Sequence, residues 1–162
     1  MKFIFAFLLC ALLASNSFAQ TEETVVEEIH LTRAAAANGT LGEPTTIFTT
    51  NDIPIYCSVA FRSSGKAVAV KMNFVALNAA GLKPNAVVVS VGYKTNGRET
   101  GVNFDGSPGA KVWAAGKYRV DVLLDGKTAK SLEFEIQKSA KEIGKTKQAP
   151  PKSKSKTKSR KS

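Results

Sequence analysis

The chain is 162 residues long, 43% of them hydrophobic, and its formal net charge is +10 at pH 7. This length predicts one domain that is large enough to bury a core. The chain has one histidine and two cysteines, so a histidine-based metal site or a serine–histidine–acid triad has little support. We therefore predict no catalytic residues, no metal site, no cofactor and no small-molecule substrate.

Residues 1–19 have the pattern of a secretory signal peptide. Lys2 gives a positive start, residues 3–14 are almost wholly apolar, and small residues stand at Ser17 and Ala19, before the predicted cleavage site. A membrane-spanning helix needs about 20 apolar residues, which is more than this run provides. We predict cleavage after Ala19, loss of Cys10 with the leader, no transmembrane segment afterwards, and a secreted or periplasmic protein.

Residues 20–137 alternate between apolar and polar side chains over most of their length. This period of two predicts strands at 24–31, 45–48, 53–61, 67–74, 87–94, 102–104, 117–124 and 131–136. In 87–94 it places Val87, Val89, Val91 and Tyr93 on one face, towards the core. Many short strands without crossover helices favour an all-β, antiparallel two-sheet sandwich of about seven or eight strands.

The last two predicted strands form a hairpin around Gly126. A two-residue loop would place Leu132 opposite an outward residue of the preceding strand and split the core. We therefore predict a three-residue loop with Gly126 in the left-handed region as a bulge residue. This register sets Glu133 opposite Lys117 or Arg119 on the solvent face.

Two further residues are predicted to be structural. Cys57 is the single cysteine after the predicted cleavage site, so no internal disulfide can form. Its phase matches that of Ile55 and Val59, which predicts a buried residue; a reactive or intermolecular thiol is the alternative. Trp113 has a large apolar area to cover, so we expect it to pack at one end of the sandwich, just before the strand of Tyr118.

The residues around Tyr118 also carry a family resemblance. The run WAAGKYRVDVLLDGK at 113–127, with LEFEI at 132–136 and FTTNDIPIY at 48–56, resembles immunoglobulin-like domains of secreted bacterial proteins of uncharacterised role. The resemblance implies a β-sandwich with a binding or structural role and no catalytic residues to carry over. The chain lacks the paired cysteines of antibody-type domains.

Two other features have ordinary explanations. His30 lies in a predicted edge strand, where we expect a solvated side chain rather than a metal ligand. The glycine-rich stretch 101–109 lacks the spacing of a phosphate-binding loop and a following helix. Apart from the short strand at 102–104, we expect this stretch to be a long sandwich loop.

The charge is concentrated at the C-terminus. Residues 138–162 hold ten Lys or Arg against one acid, whereas residues 20–137 hold twelve basic and twelve acidic residues. From residue 145 onward the tail has no aromatic or branched aliphatic side chain, so we predict that it is disordered. The cations predicted to bind an anionic polymer are Lys145, Lys147, Lys152, Lys154, Lys156, Lys158, Arg160 and Lys161.

Three kinds of function remain open at this point. The signal peptide favours an exported, non-enzymatic binding or structural module whose tail attaches to envelope glycans, lipid phosphates or extracellular DNA. The tail also resembles the Lys-rich tails of histone-like proteins, and nucleic-acid binding would then be sequence-blind because the tail has no aromatic residues for base stacking. The third is an accessory domain that docks on a protein partner through sandwich loops or an exposed edge strand. A tail that is merely solubilising is the alternative to all binding roles of the tail.

Overall fold

Eight β-strands make up the regular structure of residues 23–36 and 39–139, the part of the chain that the computed structural model describes. They are β1 (Val25–Thr32), β2 (Ile47–Thr49), β3 (Ile55–Arg62), β4 (Ala69–Ala79), β5 (Ala86–Lys94), β6 (Gly101–Gly106), β7 (Gly116–Leu124) and β8 (Lys127–Gln137). The predicted signal peptide and residues 140–162 of the predicted tail lie outside the described residues. Within those residues, no helix is long and apolar enough to cross a membrane.

The strands form two sheets with an immunoglobulin-like order. One sheet has the order β1-β3-β6 and the other the order β2-β8-β7-β4-β5. All neighbours are antiparallel except β2 and β8, which are parallel. The first strand region is divided, so that β1 joins one sheet and β2 the other, while β8, β7 and β4 take the places of the G, F and C strands of immunoglobulin domains. The prediction of an all-β immunoglobulin-like sandwich is confirmed, with the parallel β2–β8 pair as an addition.

The core lies between the two sheets and follows from the alternation of the strands. On β3 the inward residues Ile55, Cys57, Val59 and Phe61 are all almost fully buried. Aromatic side chains of the five-stranded sheet fill part of this core: Phe74 and Phe134 lie 5.2 Å apart between ring centroids. Burial of such large apolar side chains is the dominant favourable contribution to folding.

The predicted three-residue loop of the last hairpin is wrong. Leu124 pairs with Lys127, so the loop has two residues, Asp125 at φ 47° and Gly126 at φ 83°. Both lie in the left-handed region, as a type I′ turn requires. Gly126 therefore has the predicted conformation in a shorter loop.

A bulge inside the hairpin supplies the phase change that the longer loop was expected to supply. Leu123 pairs with Thr128 and Val122 with Lys130, which leaves Ala129 as the extra residue on β8. Beyond the bulge, Val120 pairs with Leu132 and Arg119 with Glu133. The apolar faces of both strands thus meet in the core, and Glu133 lies opposite Arg119, as the predicted register required.

The glycine-rich stretch is a strand over more of its length than predicted. Gly101–Gly106 is β6 and pairs with β3, so the loop begins only at Ser107. A Cβ at Gly106 would lie 2.5 Å from Cε2 of Phe74, and one at Gly101 would lie 3.0 Å from the carbonyl oxygen of Val59. The glycines therefore permit close approach of neighbouring chain segments, which explains their presence in a strand.

Candidate functional site

The last described residues, 138–139, lie at one of the two ends of the sandwich. Ala79, the last residue of β4, pairs with Gly116, the first residue of β7, and Gly116 pairs with Ile136 of β8. We call this the tail end, and it carries the loops 50–54, 80–85 and 107–115 together with residues 138–139. The opposite end, with the loops 63–68 and 95–100 and the turn 125–126, is called the turn end.

Trp113 joins two loops of the tail end. The structure places this residue with 1% of its surface exposed. Its backbone N–H donates to the carbonyl oxygen of Thr50 at 2.9 Å, and its indole Nε1 donates to the carbonyl oxygen of Asp52 at 2.8 Å. The third loop is attached by a hydrogen bond from the backbone N–H of Ala80 to the carbonyl oxygen of Ala115 at 2.9 Å. The tail end is therefore a connected set of loops with an aromatic base.

Tyr118 makes the contact known as the tyrosine corner. It is fully buried on β7, and its hydroxyl donates to the carbonyl oxygen of Ala114 at 2.8 Å. Burial raises the pKa of Tyr118, so the hydroxyl keeps its proton for this bond. In immunoglobulin-like domains the same bond fixes the turn into the F strand. Tyr118 thereby holds the loop 107–115 in place from below.

Cys57 lies on β3 in the middle of the core with none of its surface exposed. Burial raises the pKa of its thiol to about 12. Only the thiolate is an effective nucleophile, so both access and ionisation limit its reactivity. The arrangement favours a packing role over a reactive thiol.

We expect iodoacetamide to label Cys57 negligibly in the folded chain from Gln20 to Ser162 at pH 8, and rapidly once that chain is unfolded in denaturant. Quantitative labelling of the folded protein would contradict the burial.

The same burial has a pH consequence. Because the unfolded chain loses its thiol proton near pH 9 while the folded chain retains it up to about pH 12, the free energy of unfolding should fall across that interval.

An ion pair on the outer face of the five-stranded sheet was not found from the sequence. Arg119 Nε donates to Asp121 Oδ1 at 2.6 Å and its Nη2 to Oδ2 at 2.8 Å, while the Ser131 hydroxyl donates to Oδ1. Burial would raise the pKa of Asp121, but the bonds from Arg119 and Ser131 lower it overall. Arg and Asp two positions apart on a strand share a face, which is the sequence signal that could have pointed to this pair. The pair is a structural feature of the sheet surface.

His30 lies on β1, which is an edge strand as predicted. Its side chain is 45% exposed, and Nε2 lies 2.8 Å from Oε2 of Glu28. In the described ranges, no group of three or more His, Cys, Asp or Glu side chains is arranged to hold a metal ion. His30 is therefore a solvated side chain on the sheet edge.

The predicted anion-binding residues 145–161 lie outside the described residues, but the start of the tail does not. Ser139 is 8% exposed, and its backbone N–H donates to Oγ1 of Thr50 at 3.3 Å. Lys138 is exposed beside it. The chain thus remains attached to the tail end through residue 139, two residues beyond the predicted domain limit at 137.

The two ends of the sandwich differ in charge. The described tail-end loops and exit carry Lys83, Lys111 and Lys138 against Asp52, whose Oδ2 pairs with Nε of Arg33 at 3.2 Å. The turn-end loops carry two cations and two acids, which are Lys66, Arg98, Glu99 and Asp125. A groove of about 370 Å³ at the turn end is lined by side chains of both signs. The tail end is therefore the more positive one.

No family model matches the chain, and no curated protein matches it. Among solved structures, an alkylpurine DNA glycosylase AlkC from Pseudomonas fluorescens, bound to DNA containing an abasic site analogue, is similar at 15% identity and a TM-score of 0.48. That similarity covers 71% of this chain and 30% of the glycosylase chain. An immunoglobulin-like protein from Pseudomonas aeruginosa is similar at 9% identity and a TM-score of 0.48, over 73% of this chain and 99% of that one. The fold assignment rests on the strand order and the tyrosine corner of this chain.

Proposed function

We propose that the protein is an exported, non-enzymatic binding module in which the immunoglobulin-like sandwich carries a cationic tail to anionic polymers or surfaces of the cell envelope. One observation carries the proposal. Ten of the basic residues lie in the last 25 positions with one acid, while residues 20–137 are neutral. Such separation of charge is typical of an electrostatic attachment segment linked to a folded domain.

The geometry of the tail end supports the same function. The tail starts from Ser139 beside the positive loops, so its cations begin next to charges of the same sign. Like charges disfavour folding of the tail back onto this end and leave its cations available for an external anion. The attachment then acts through charge density rather than through a shaped pocket.

The decisive measurement is the salt dependence of binding to inorganic polyphosphate by the chain from Gln20 to Ser162. A protein that contacts about 6 to 10 phosphates of duplex DNA binds roughly a thousandfold or more weakly at about 200 mM salt than at about 50 mM, because condensed counterions are released on binding. We expect a comparably steep response here. Replacement of the eight predicted cations at 145–161 by Gln should abolish the binding and leave the thermal stability of the sandwich almost unchanged.

A shuffled tail of the same composition is the matched control, and it should bind as tightly as the native tail. Loss of binding in the shuffled protein would contradict an attachment that reads only charge. Full affinity in the Gln variant, or a flat salt response in the native chain, would transfer binding to the sandwich. Preference for duplex DNA over isolated envelope material would favour the nucleic-acid-binding alternative.

The edge strand β5 favours a second candidate function, docking on a protein partner. From Ala86 to Tyr93 it carries no charged residue, and Val87 and Tyr93 are 56% and 47% exposed. An uncharged edge strand is a template for pairing with an extended segment of another protein. Gly92→Pro would remove one backbone donor from β5, whereas Gly92→Ala would retain it. A protein partner lost with the first variant and retained with the second would support this function.

A further inference from the structure

Exposed apolar side chains occur in the loops of one end of the sandwich. Ile53, Leu82 and Val112 are 38%, 37% and 41% exposed, and each lies in a different loop of the tail end. The other large exposed apolar residues of the described ranges lie in strands; they are Val25, Ile47, Val87 and Tyr93. The described turn-end loops contribute none. Exposed apolar residues collected on one part of a surface indicate an interaction site.

Positive charges accompany these apolar residues. Lys83 follows Leu82 directly, Lys111 precedes Val112 directly, and all four side chains are exposed. The acid of these loops, Asp52, is engaged with Arg33. Apolar side chains flanked by exposed lysines match a surface that offers both an apolar phase and anionic groups.

The loops that carry these side chains are joined to one another by hydrogen bonds. Trp113 is buried directly after Val112 and is bonded to the loop 50–54 through Thr50 and Asp52. The loop 80–85 is joined to Ala115. A site that is ordered before binding loses less conformational entropy when it binds.

We infer that the tail end docks on a lipid bilayer rich in anionic phospholipid, with Ile53, Leu82 and Val112 entering the interface and Lys83, Lys111 and Lys138 contacting the headgroup phosphates. The inference rests on the proposed function for anion binding by the tail, and it identifies the anion carrier as a membrane surface. A soluble polyanion offers charge to the lysines but no apolar phase to the loop tips. A bilayer interface offers both.

Insertion of the loop tips can be measured with an environment-sensitive dye. Because native Cys57 is buried, a cysteine introduced by Leu82→Cys is the accessible thiol of the chain from Gln20 to Ser162. With a nitrobenzoxadiazole label at that position, we expect a blue shift on addition of phosphatidylglycerol–phosphatidylcholine vesicles, and quenching by nitroxide-labelled lipids. The same label introduced by Val25→Cys, at the turn end, should show neither. Unchanged emission of the Leu82→Cys label on bound vesicles would overturn the inference.

Affinity for the vesicles gives a second, independent test. A valine side chain that is exposed in the free protein and buried on binding contributes about a tenfold gain in affinity, at roughly 25 cal/mol per Å² of apolar area. We therefore expect Val112→Ser to weaken vesicle binding by about that factor. Val25→Ser removes a valine of similar exposure, 44% against 41%, from the other end and should have no effect. Equal losses in the two variants would count against a docking surface at the tail end.

Polyphosphate binding separates this inference from the proposed function. If Val112→Ser weakens vesicle binding but leaves polyphosphate binding intact, both hold. If the native chain does not bind polyphosphate but the Leu82→Cys label still inserts into the vesicle bilayer, the tail proposal is wrong and the docking surface remains. If polyphosphate binds and the label stays in water, the tail proposal remains and the membrane inference is wrong.

Discussion

Gly116→Ala is expected to destabilise the sandwich by about 3 kcal/mol or more, because backbone strain and overpacking act together. Gly116 has a φ of 151°, a conformation that side-chain-bearing residues rarely adopt. A Cβ there would lie 2.2 Å from the carbonyl oxygen of Asn78 and 2.4 Å from Cα of Ala79. These are backbone atoms of β4, so they can retreat only by disturbing the β4–β7 pairing at the tail end.

Gly126→Ala is the matched control. Gly126 also has a positive φ, 83°, but a Cβ there would meet no atom within 4 Å. Its replacement should cost about 1 kcal/mol from backbone strain alone. Denaturant unfolding followed by tryptophan fluorescence gives both values. Similar losses for the two glycines would show that the contact with β4 relaxes more easily than its backbone neighbours suggest.

Trp113→Ala should also have a large effect, about 3–5 kcal/mol, as expected for the loss of a fully buried large aromatic side chain. The indole packs against Phe74 and Tyr118 at centroid distances of 5.9 and 6.1 Å. The substitution would create a cavity among these rings and remove the hydrogen bond to the carbonyl oxygen of Asp52. The loops 50–54 and 107–115 would then lose their shared anchor.

The neighbouring residue provides the comparison. Val112 is 41% exposed, so Val112→Ala should change the free energy of unfolding by no more than about 0.5 kcal/mol. Circular dichroism in denaturant measures both variants without relying on the tryptophan signal. A Trp113→Ala protein that unfolds at the native midpoint would contradict the role of the indole as the base of the tail end.

The strands could be predicted because their inward and outward residues alternate along the sequence itself. The positions of bulges could not, because a bulge depends on which residue of the neighbouring strand it faces. The bulge at Ala129 took the place of the predicted longer loop. On β5 the register shifts between the pairs Phe74–Val89 and Val75–Val87, and this shift turns Val87 outward. Tyr93, predicted to face the core, is 47% exposed because β5 is an edge strand and Tyr93 lies near the end of it.

Parts of the candidate site could be predicted from the sequence, and other parts could not. A run of lysines is visible in any reading of the sequence, so the cationic tail could be predicted from composition alone. Ile53, Leu82 and Val112 could not be grouped from the sequence, because they are about 30 residues apart and only the strand order brings their loops to one end. The tyrosine corner lay within the recognised run around Tyr118, but its hydrogen bond to Ala114 depends on the path of the loop.

The described chain begins and ends at opposite ends of the sandwich. Val25 pairs with Arg62 at the turn end, whereas Ser139 is bound at the tail end. The intervening length is that of β8, whose 11 residues span about 35 Å at roughly 3.4 Å per residue. A partner attached before Glu23 would therefore be held about that far from the tail end, where Lys138 lies. A fusion placed at the N-terminal side of the described residues would leave the tail end unobstructed.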